Sequence, residues 1–187
     1  MAEDGVELET MRLLMDGKLS KDELEALIRQ EPKDPQRFFA YLQVLQERVP
    51  WDDSILLRIA DHLYIVRRKS DGELVVKCHC GCDFGDYRVN WKLGCLIRVR
   101  ATLDEFAEIY QPREFAPDPD YVEMREFFCP DCLTQLGVEV ALHGDPVLFE
   151  FLPDVDTFYR EWLEQPLEDD GRHEYRNLTE EAVKAWA

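Results

Sequence analysis

Apolar residues recur at helical spacing through the first third of the chain. Residues 11–15 form an apolar patch, and Ser20 precedes a second apolar face, with Glu23 three positions later completing a capping box. These patterns predict two helices, the second ending at Pro32. A third helix is predicted over residues 34–50, with a proline in its first turn and another after its end. Its buried stripe is predicted to be Phe38, Tyr41, Leu42 and Leu45.

The middle of the chain changes to patterns typical of β-strands. Segments rich in β-branched and aromatic residues predict five strands, at residues 63–68, 74–78, 96–100, 125–128 and 137–140. Residues 70–72, Ser-Asp-Gly, are typical of a hairpin turn between the first two. Thr102 and Glu105 form a second capping box, which predicts a short helix through Ile109.

The tail returns to helical patterns. Asp154 is expected to cap a helix over residues 158–163, and Thr179 one over residues 180–186. The predicted fold class is α+β, with a small antiparallel sheet between helical N- and C-terminal arms. The predicted domains are a helical N-terminal arm (1–53), a β-rich core (54–150) and a helical C-terminal arm (151–187).

Net charge and hydropathy limit which partners and which cellular location are expected for this chain. The chain has 187 residues and a net charge of −18, so its surface is expected to repel nucleic acid and anionic membranes. No stretch approaches the ~20 apolar residues that a membrane span needs. The acidic residues 1–4 lack the basic region of a signal peptide, and a cytoplasmic location is therefore expected.

Five of the six cysteines form two tight clusters. Cys78-His79-Cys80-Gly81-Cys82 follows one predicted strand, and Cys129-Pro130-Asp131-Cys132 follows another. Such clusters at strand ends are typical of zinc ribbons, and four thiolates suit a closed, structural zinc site. The predicted zinc ligands are Cys78, Cys80, Cys129 and Cys132, which makes the sheet zinc-ribbon-like. The irregular spacing of the first cluster leaves open that Cys82 or His79 replaces one of them.

Other chemistry is sparse in the sequence. There is no Walker loop, no GxGxxG and no nucleophile elbow, so no catalytic or cofactor-binding residue is predicted. Cys95 beside an apolar strand fits a buried free thiol. The alternative function is a stand-alone redox protein, either rubredoxin-like with iron or a dithiol of Cys129 and Cys132. A third interpretation, zinc acting in catalysis, requires a ligand other than cysteine, and His79 is the candidate.

Several blocks together resemble a known family. The chain is similar to the gamma (small) subunit family of acetone carboxylase and its relative acetophenone carboxylase, over roughly residues 33–163. The blocks that carry the resemblance are residues 33–38, 45–53, 76–81, 90–93, 125–132 and 158–163. In one respect the chain departs from the family pattern, which usually has His where this chain has Cys82. That departure bears on which side chains contact the metal.

The resemblance implies a role in a larger enzyme. Carboxylases of this family are ATP-dependent and biotin-independent, and they join bicarbonate to a ketone to give a 3-oxo acid. The implied partners are large alpha and beta subunits in a hetero-oligomer, and ATP and any catalytic metal are expected on those subunits. The chain itself is then expected to be a zinc-binding, non-catalytic subunit.

Overall fold

The computed structural model describes residues 8–31, 34–169 and 171–186. Within these ranges the helices are α1 (Leu8–Met15), α2 (Lys21–Arg29), α3 (Gln36–Glu47), α4 (Leu103–Ala107), α5 (Val155–Thr157) and α6 (Thr179–Trp186). The strands are β1 (Ser54–Ala60), β2 (Leu63–Arg67), β3 (Leu74–Cys78), β4 (Asp83–Asp86), β5 (Leu96–Arg100), β6 (Val122–Phe128) and β7 (Gln135–Leu142). The acidic residues 1–4 and Pro32, used above as sequence signals, lie outside the described residues.

The strands form two antiparallel sheets. Sheet A has the order β1-β2-β3-β4, and sheet B has the order β5-β6-β7. The predicted α+β class with antiparallel strands and helices at both ends is confirmed, but the strands divide between two sheets instead of forming one. The predicted hairpin between β2 and β3 is present: the N–H of Arg68 donates to the carbonyl of Glu73 at 2.9 Å. Gly72 takes the positive φ of 78° that this turn requires.

Sheet A is buried on both faces, because alternate residues of β2 point to opposite sides. Leu63 and Ile65 belong to one apolar cluster, which also contains Tyr159 from the C-terminal segment. Tyr64 and Val66 belong to the other, which contains Leu42 and Leu45 of α3. The C-terminal segment and α3 therefore cover opposite faces of the same sheet. Of the predicted α3 stripe, Leu42 and Leu45 are buried, while Phe38 and Tyr41 are partly buried.

Two of the strands, β1 and β4, were not predicted from the sequence. Strand β1 is a run of Leu and Ile that is too short to distinguish helix from strand by periodicity. Strand β4 has the sequence Asp-Phe-Gly-Asp, which has low intrinsic strand propensity, and it is held by pairing with β3. Both depend on contacts with a neighbouring strand, which a local pattern cannot show.

The predicted helix caps have mixed outcomes. The capping boxes of Ser20 with Glu23 and of Thr102 with Glu105 are both formed. Asp154 also acts as a cap, accepting from the N–H of Thr157 at 3.1 Å, but the helix begins at Val155, three residues before its predicted start. The predicted cap at Thr179 is wrong. Helix α6 begins at Thr179 itself, whose hydroxyl accepts from the N–H of Asn90 at 3.0 Å.

None of the helices in the described ranges combines the length and apolar character needed to cross a membrane.

Candidate metal centre

The two cysteine clusters follow strands of different sheets. Cys78 is the last residue of β3 in sheet A, and the chain turns back so that the N–H of Cys78 donates to the carbonyl of Cys82 at 2.8 Å. Gly81 occupies this turn with φ of 108°, a conformation that favours glycine. Cys129 directly follows β6 in sheet B, and its N–H donates to the carbonyl of Thr134 at 2.9 Å. Each backbone loop thus holds two sulfurs at one strand end.

The two loops bring four sulfurs together. The Sγ atoms of Cys78, Cys80, Cys129 and Cys132 all lie within 4.8 Å of one another. The separation is 3.8 Å between Cys78 and Cys132, and 3.6 Å between Cys80 and Cys129. A tetrahedral ion with metal–sulfur bonds of about 2.3 Å requires sulfurs about 3.8 Å apart. These four side chains could therefore hold a metal ion, and the donor set fits zinc.

The four thiols differ in burial and in acidity. Cys78 and Cys129 are fully buried, and burial raises the pKa of the Cys78 thiol well above its usual range. Burial also raises the pKa of Cys80. The hydroxyl of Thr134, 3.3 Å from Sγ of Cys132, lowers the pKa of that exposed thiol to about 6. A thiolate is thus favoured at Cys132, whereas the thiols of Cys78 and Cys80 need a bound cation to offset burial before they lose their protons.

The remaining candidates lie near the four sulfurs but outside their group. Burial, together with the nearby Cys129 and Asp131, raises the pKa of Cys82 to about 12. Burial likewise raises the pKa of Cys95 to about 12, and its Sγ contacts the carbonyl of Trp91 at 3.8 Å. The ring of His79 packs edge-on against His62, with centroids 5.9 Å apart. Neither Cys82 nor His79 joins the group with mutual distances within 4.8 Å.

Trp51 supports the first cysteine loop and was not predicted to do so. Its Nε1 donates to the carbonyl of His79 at 3.0 Å. A Cβ added at Gly81 would lie 3.2 Å from the Trp51 ring, so the ring packs closely over the turn. Lys77 forms a buried ion pair with Asp53, and its ammonium lies over the Trp51 ring. No motif could reveal this support, since Trp51 precedes the loop by 28 residues.

Thr134 is the other supporting residue missed in the sequence. It lies two positions after Cys132, within the same turn that closes the second loop. A hydroxyl near a cysteine pair is a signal available in the sequence, because it can donate to a thiolate. Its effect on the Cys132 pKa requires the folded turn.

Comparisons with known proteins show to which family the chain belongs. Residues 49–163 match the family described as "Acetone carboxylase gamma subunit". The chain is 45% identical over 154 residues to the acetone carboxylase gamma subunit of Xanthobacter autotrophicus. The aligned region covers 82% of this chain and 90% of the relative. It is 34% identical over 82 residues to the acetophenone carboxylase beta subunit of Aromatoleum aromaticum, covering 43% of this chain and 64% of the relative. This chain therefore belongs to the acetone carboxylase gamma subunit family.

Proposed function

We propose that this chain is the small, non-catalytic subunit of an ATP-dependent, biotin-independent ketone carboxylase. The enzyme would join acetone or acetophenone to bicarbonate to give a 3-oxo acid, which makes it a ligase. Large alpha and beta subunits would carry the ATP site and any catalytic metal. The observation that carries the proposal is the group of four sulfurs within 4.8 Å, in a member of this family.

The donor set supports zinc in a structural role. Four cysteine sulfurs can complete a tetrahedral site, and a closed site leaves no position for water or substrate. Cys78 ends β3 of sheet A and Cys80 lies in the turn after it, whereas Cys129 and Cys132 follow a strand of sheet B. A bound ion would therefore link the ends of the two sheets and stabilise the folded chain over the unfolded one.

The names of the relatives support membership of an assembly. One relative is named as a gamma subunit and the other as a beta subunit of a carboxylase. A net charge of −18 favours association with a partner of opposite surface charge.

Co-purification with metal analysis tests the proposal. The tagged chain is isolated from its host, co-purifying proteins are identified by mass spectrometry, and metals are quantified in the same fraction. We expect two large subunits and about one zinc per small chain. A chain that emerges alone with iron, or with no metal and a cycling thiol pair, would instead establish the redox alternative.

Replacement of one ligand tests the structural role. Cys129→Ser should remove the metal and prevent assembly, because a neutral hydroxyl replaces a buried thiolate ligand. Cys95→Ser is the matched control, since Cys95 lies outside the four-sulfur group. Normal metal content and normal assembly in Cys129→Ser would refute the proposal.

A further inference from the structure

An apolar groove lies where the N-terminal helices meet the segment that continues α5. It has a volume of about 570 Å3 and opens to solvent between α1, α3 and the π-helix Phe158–Trp162 that continues α5. Apolar side chains form most of its lining: Met11, Leu14, Phe38, Tyr41, Trp162 and Leu163. The groove uses none of the four clustered cysteines, so it is a feature separate from the metal centre.

Trp162 is the most prominent side chain of this groove. It is 77% exposed, although the indole is among the largest apolar groups available for burial. Its ring contacts Phe158 with centroids 6.1 Å apart, and Phe158 in turn contacts Phe38 at 5.2 Å. The base of the tryptophan is thus supported by the core while its outer part faces solvent. Partly supported, exposed tryptophans are typical binding hot spots.

The backbone that presents Trp162 is unusual. The π-helix is closed by a hydrogen bond from the N–H of Leu163 to the carbonyl of Phe158 at 3.2 Å. Such helices are rare and occur frequently at functional sites. Glu164 then ends the helix with φ of 54°, a left-handed conformation that favours glycine and is strained for an L residue. In the isolated chain this backbone conformation leaves Trp162 largely exposed. Its stabilising effect is therefore expected only when Trp162 contacts another molecule.

Helix α2 extends the apolar surface beside the groove. Arg37, in the groove lining, donates to Gln30 Oε1 at 2.6 Å and to the carbonyl of Leu27 at 3.3 Å, which ties the end of α2 to the groove. Helix α2 has no buried residue, and its Leu24 and Ile28 are exposed. An amphipathic helix with an exposed apolar face is expected to be covered in an assembly.

Charge distinguishes between possible occupants. Two copies of a chain with net charge −18 repel each other, which disfavours self-association through this groove. Asp34 and Arg37 lie in the groove lining, and Glu161, which pairs with Arg160 at 3.4 Å, and Glu164 flank Trp162 and Leu163 in the sequence, so acidic groups still outnumber basic ones here. The fitting occupant is an apolar segment of a different chain, flanked by lysine or arginine.

We infer that this groove docks a large subunit of the carboxylase through an apolar segment with basic flanks; this rests on the proposed function. Trp162 is the central anchor, inserted against an apolar pocket of the partner. Glu161 supplies the matching charge at its rim. The metal centre and the docking surface are then separate sites: the metal centre stabilises the fold, and the docking surface serves assembly.

Two exposed tryptophans allow a matched test. The tagged chain is co-expressed with both large subunits, and its affinity for them is measured with the purified proteins. Trp162→Ala should weaken binding about thirtyfold or more, as expected for a hot spot. Trp186→Ala, which removes the 66% exposed indole of α6 outside the groove, should leave the affinity within about twofold. Both variants should retain wild-type metal content and melting temperature, because neither indole is buried.

A charge reversal tests the chemistry of the occupant. Glu161→Lys should weaken binding and reduce its dependence on salt, because it places a cation beside the basic flanks of the partner. Glu180→Lys, on the exposed surface of α6, is the control and should bind as the wild type does.

The outcomes separate this inference from the proposed function. If the wild-type chain binds no large subunit, the proposed function fails and this inference with it. If the wild type binds and Trp162→Ala binds equally well, the function stands and the docking surface is wrong. A dimer of the isolated chain that Trp162→Ala disperses would assign the groove to a second copy and overturn the inference.

Discussion

Lys92, in the helical turn before β5, lies at the centre of a buried ion network with residues of sheet B. Its ammonium is 2.7 Å from Glu139 and 2.8 Å from Glu150, and it lies over the ring of Phe127. Arg125 contacts the same Glu139 at 3.0 Å. The side chains of Lys92, Glu139 and Arg125 are all less than one-tenth exposed. Each charge is tolerated in the interior only because the others balance it.

Removal of the ammonium should therefore be costly. Lys92→Met keeps the apolar stem but leaves the buried Glu139 with one partner fewer, and we expect the free energy of unfolding to fall by about 3–5 kcal/mol. The control is Lys69→Met, whose exposed ion pair with Asp52 is screened by solvent, so its loss should have a much smaller effect. Urea unfolding of the three proteins measures both effects. Equal stabilities of the two variants would contradict the role given to the network.

At the scale of elements, the two capping boxes provide a natural comparison. Ser20 with Glu23 and Thr102 with Glu105 make the same set of hydrogen bonds at the starts of α2 and α4. Helix α4 contains Phe106, which is fully buried, whereas α2 has no buried residue in this chain. The same local motif is therefore coupled to the core in one helix and not in the other.

This difference predicts unequal effects of one substitution. Thr102→Ala should lower the global free energy of unfolding by about 1 kcal/mol, because α4 must form for Phe106 to be buried. Ser20→Ala should change the global value by much less and should instead increase amide hydrogen exchange in α2. Urea unfolding and hydrogen exchange measure the two quantities. A larger global loss for Ser20→Ala would show that α2 packs against the core.

How well elements were predicted depends on where their signals lie. The hairpin of β2 and β3 is encoded by neighbouring residues, namely the β-branched residues on either side of Ser70-Asp71-Gly72. Its prediction is confirmed. Strand β4 has no such signal, because its strand conformation depends on β3. Thr179 carried a valid cap signal, but its hydroxyl is used by Asn90, 89 positions away, and the prediction failed. Local hydrogen bonding is therefore predictable only where no distant residue competes for the same group.

At the scale of the whole molecule, the metal centre lies between the two sheets. The apolar cluster around β2 includes Cys78 and Cys129, so the sulfurs also belong to the core. Buried thiols close together without an ion would leave the two strand ends linked only by apolar contacts. An ion held by all four would add a direct link between distant parts of the chain.

Removal of the metal should therefore destabilise the whole chain. We expect a strong chelator to lower the melting temperature by about 10 °C or more, since a loss of about 4 kcal/mol has that effect in a chain of this size. Added zinc should restore the original value. Calorimetry with and without chelator measures the shift. An unchanged melting temperature in a sample shown to have lost its metal would contradict a structural role.

The sequence by itself determined the local structural features of this protein. The two cysteine clusters predicted the four residues whose sulfurs lie together, while their spacing left Cys82 and His79 open as replacements, and the strand patterns placed each cluster at a strand end. These features are encoded by neighbouring residues, so a single sequence displays them. The family blocks were also visible in the sequence, and the comparisons confirm them.

Only the tertiary structure decided how these local features are arranged relative to one another. It placed the strands in two sheets, put Trp51 over the first cysteine loop, and exposed Trp162 at a groove between the N-terminal helices and the segment that continues α5. These arrangements depend on which apolar faces pack together across long sequence separations. Hydrophobic burial is non-directional, so the pattern of one segment specifies that a face is buried but not which face covers it.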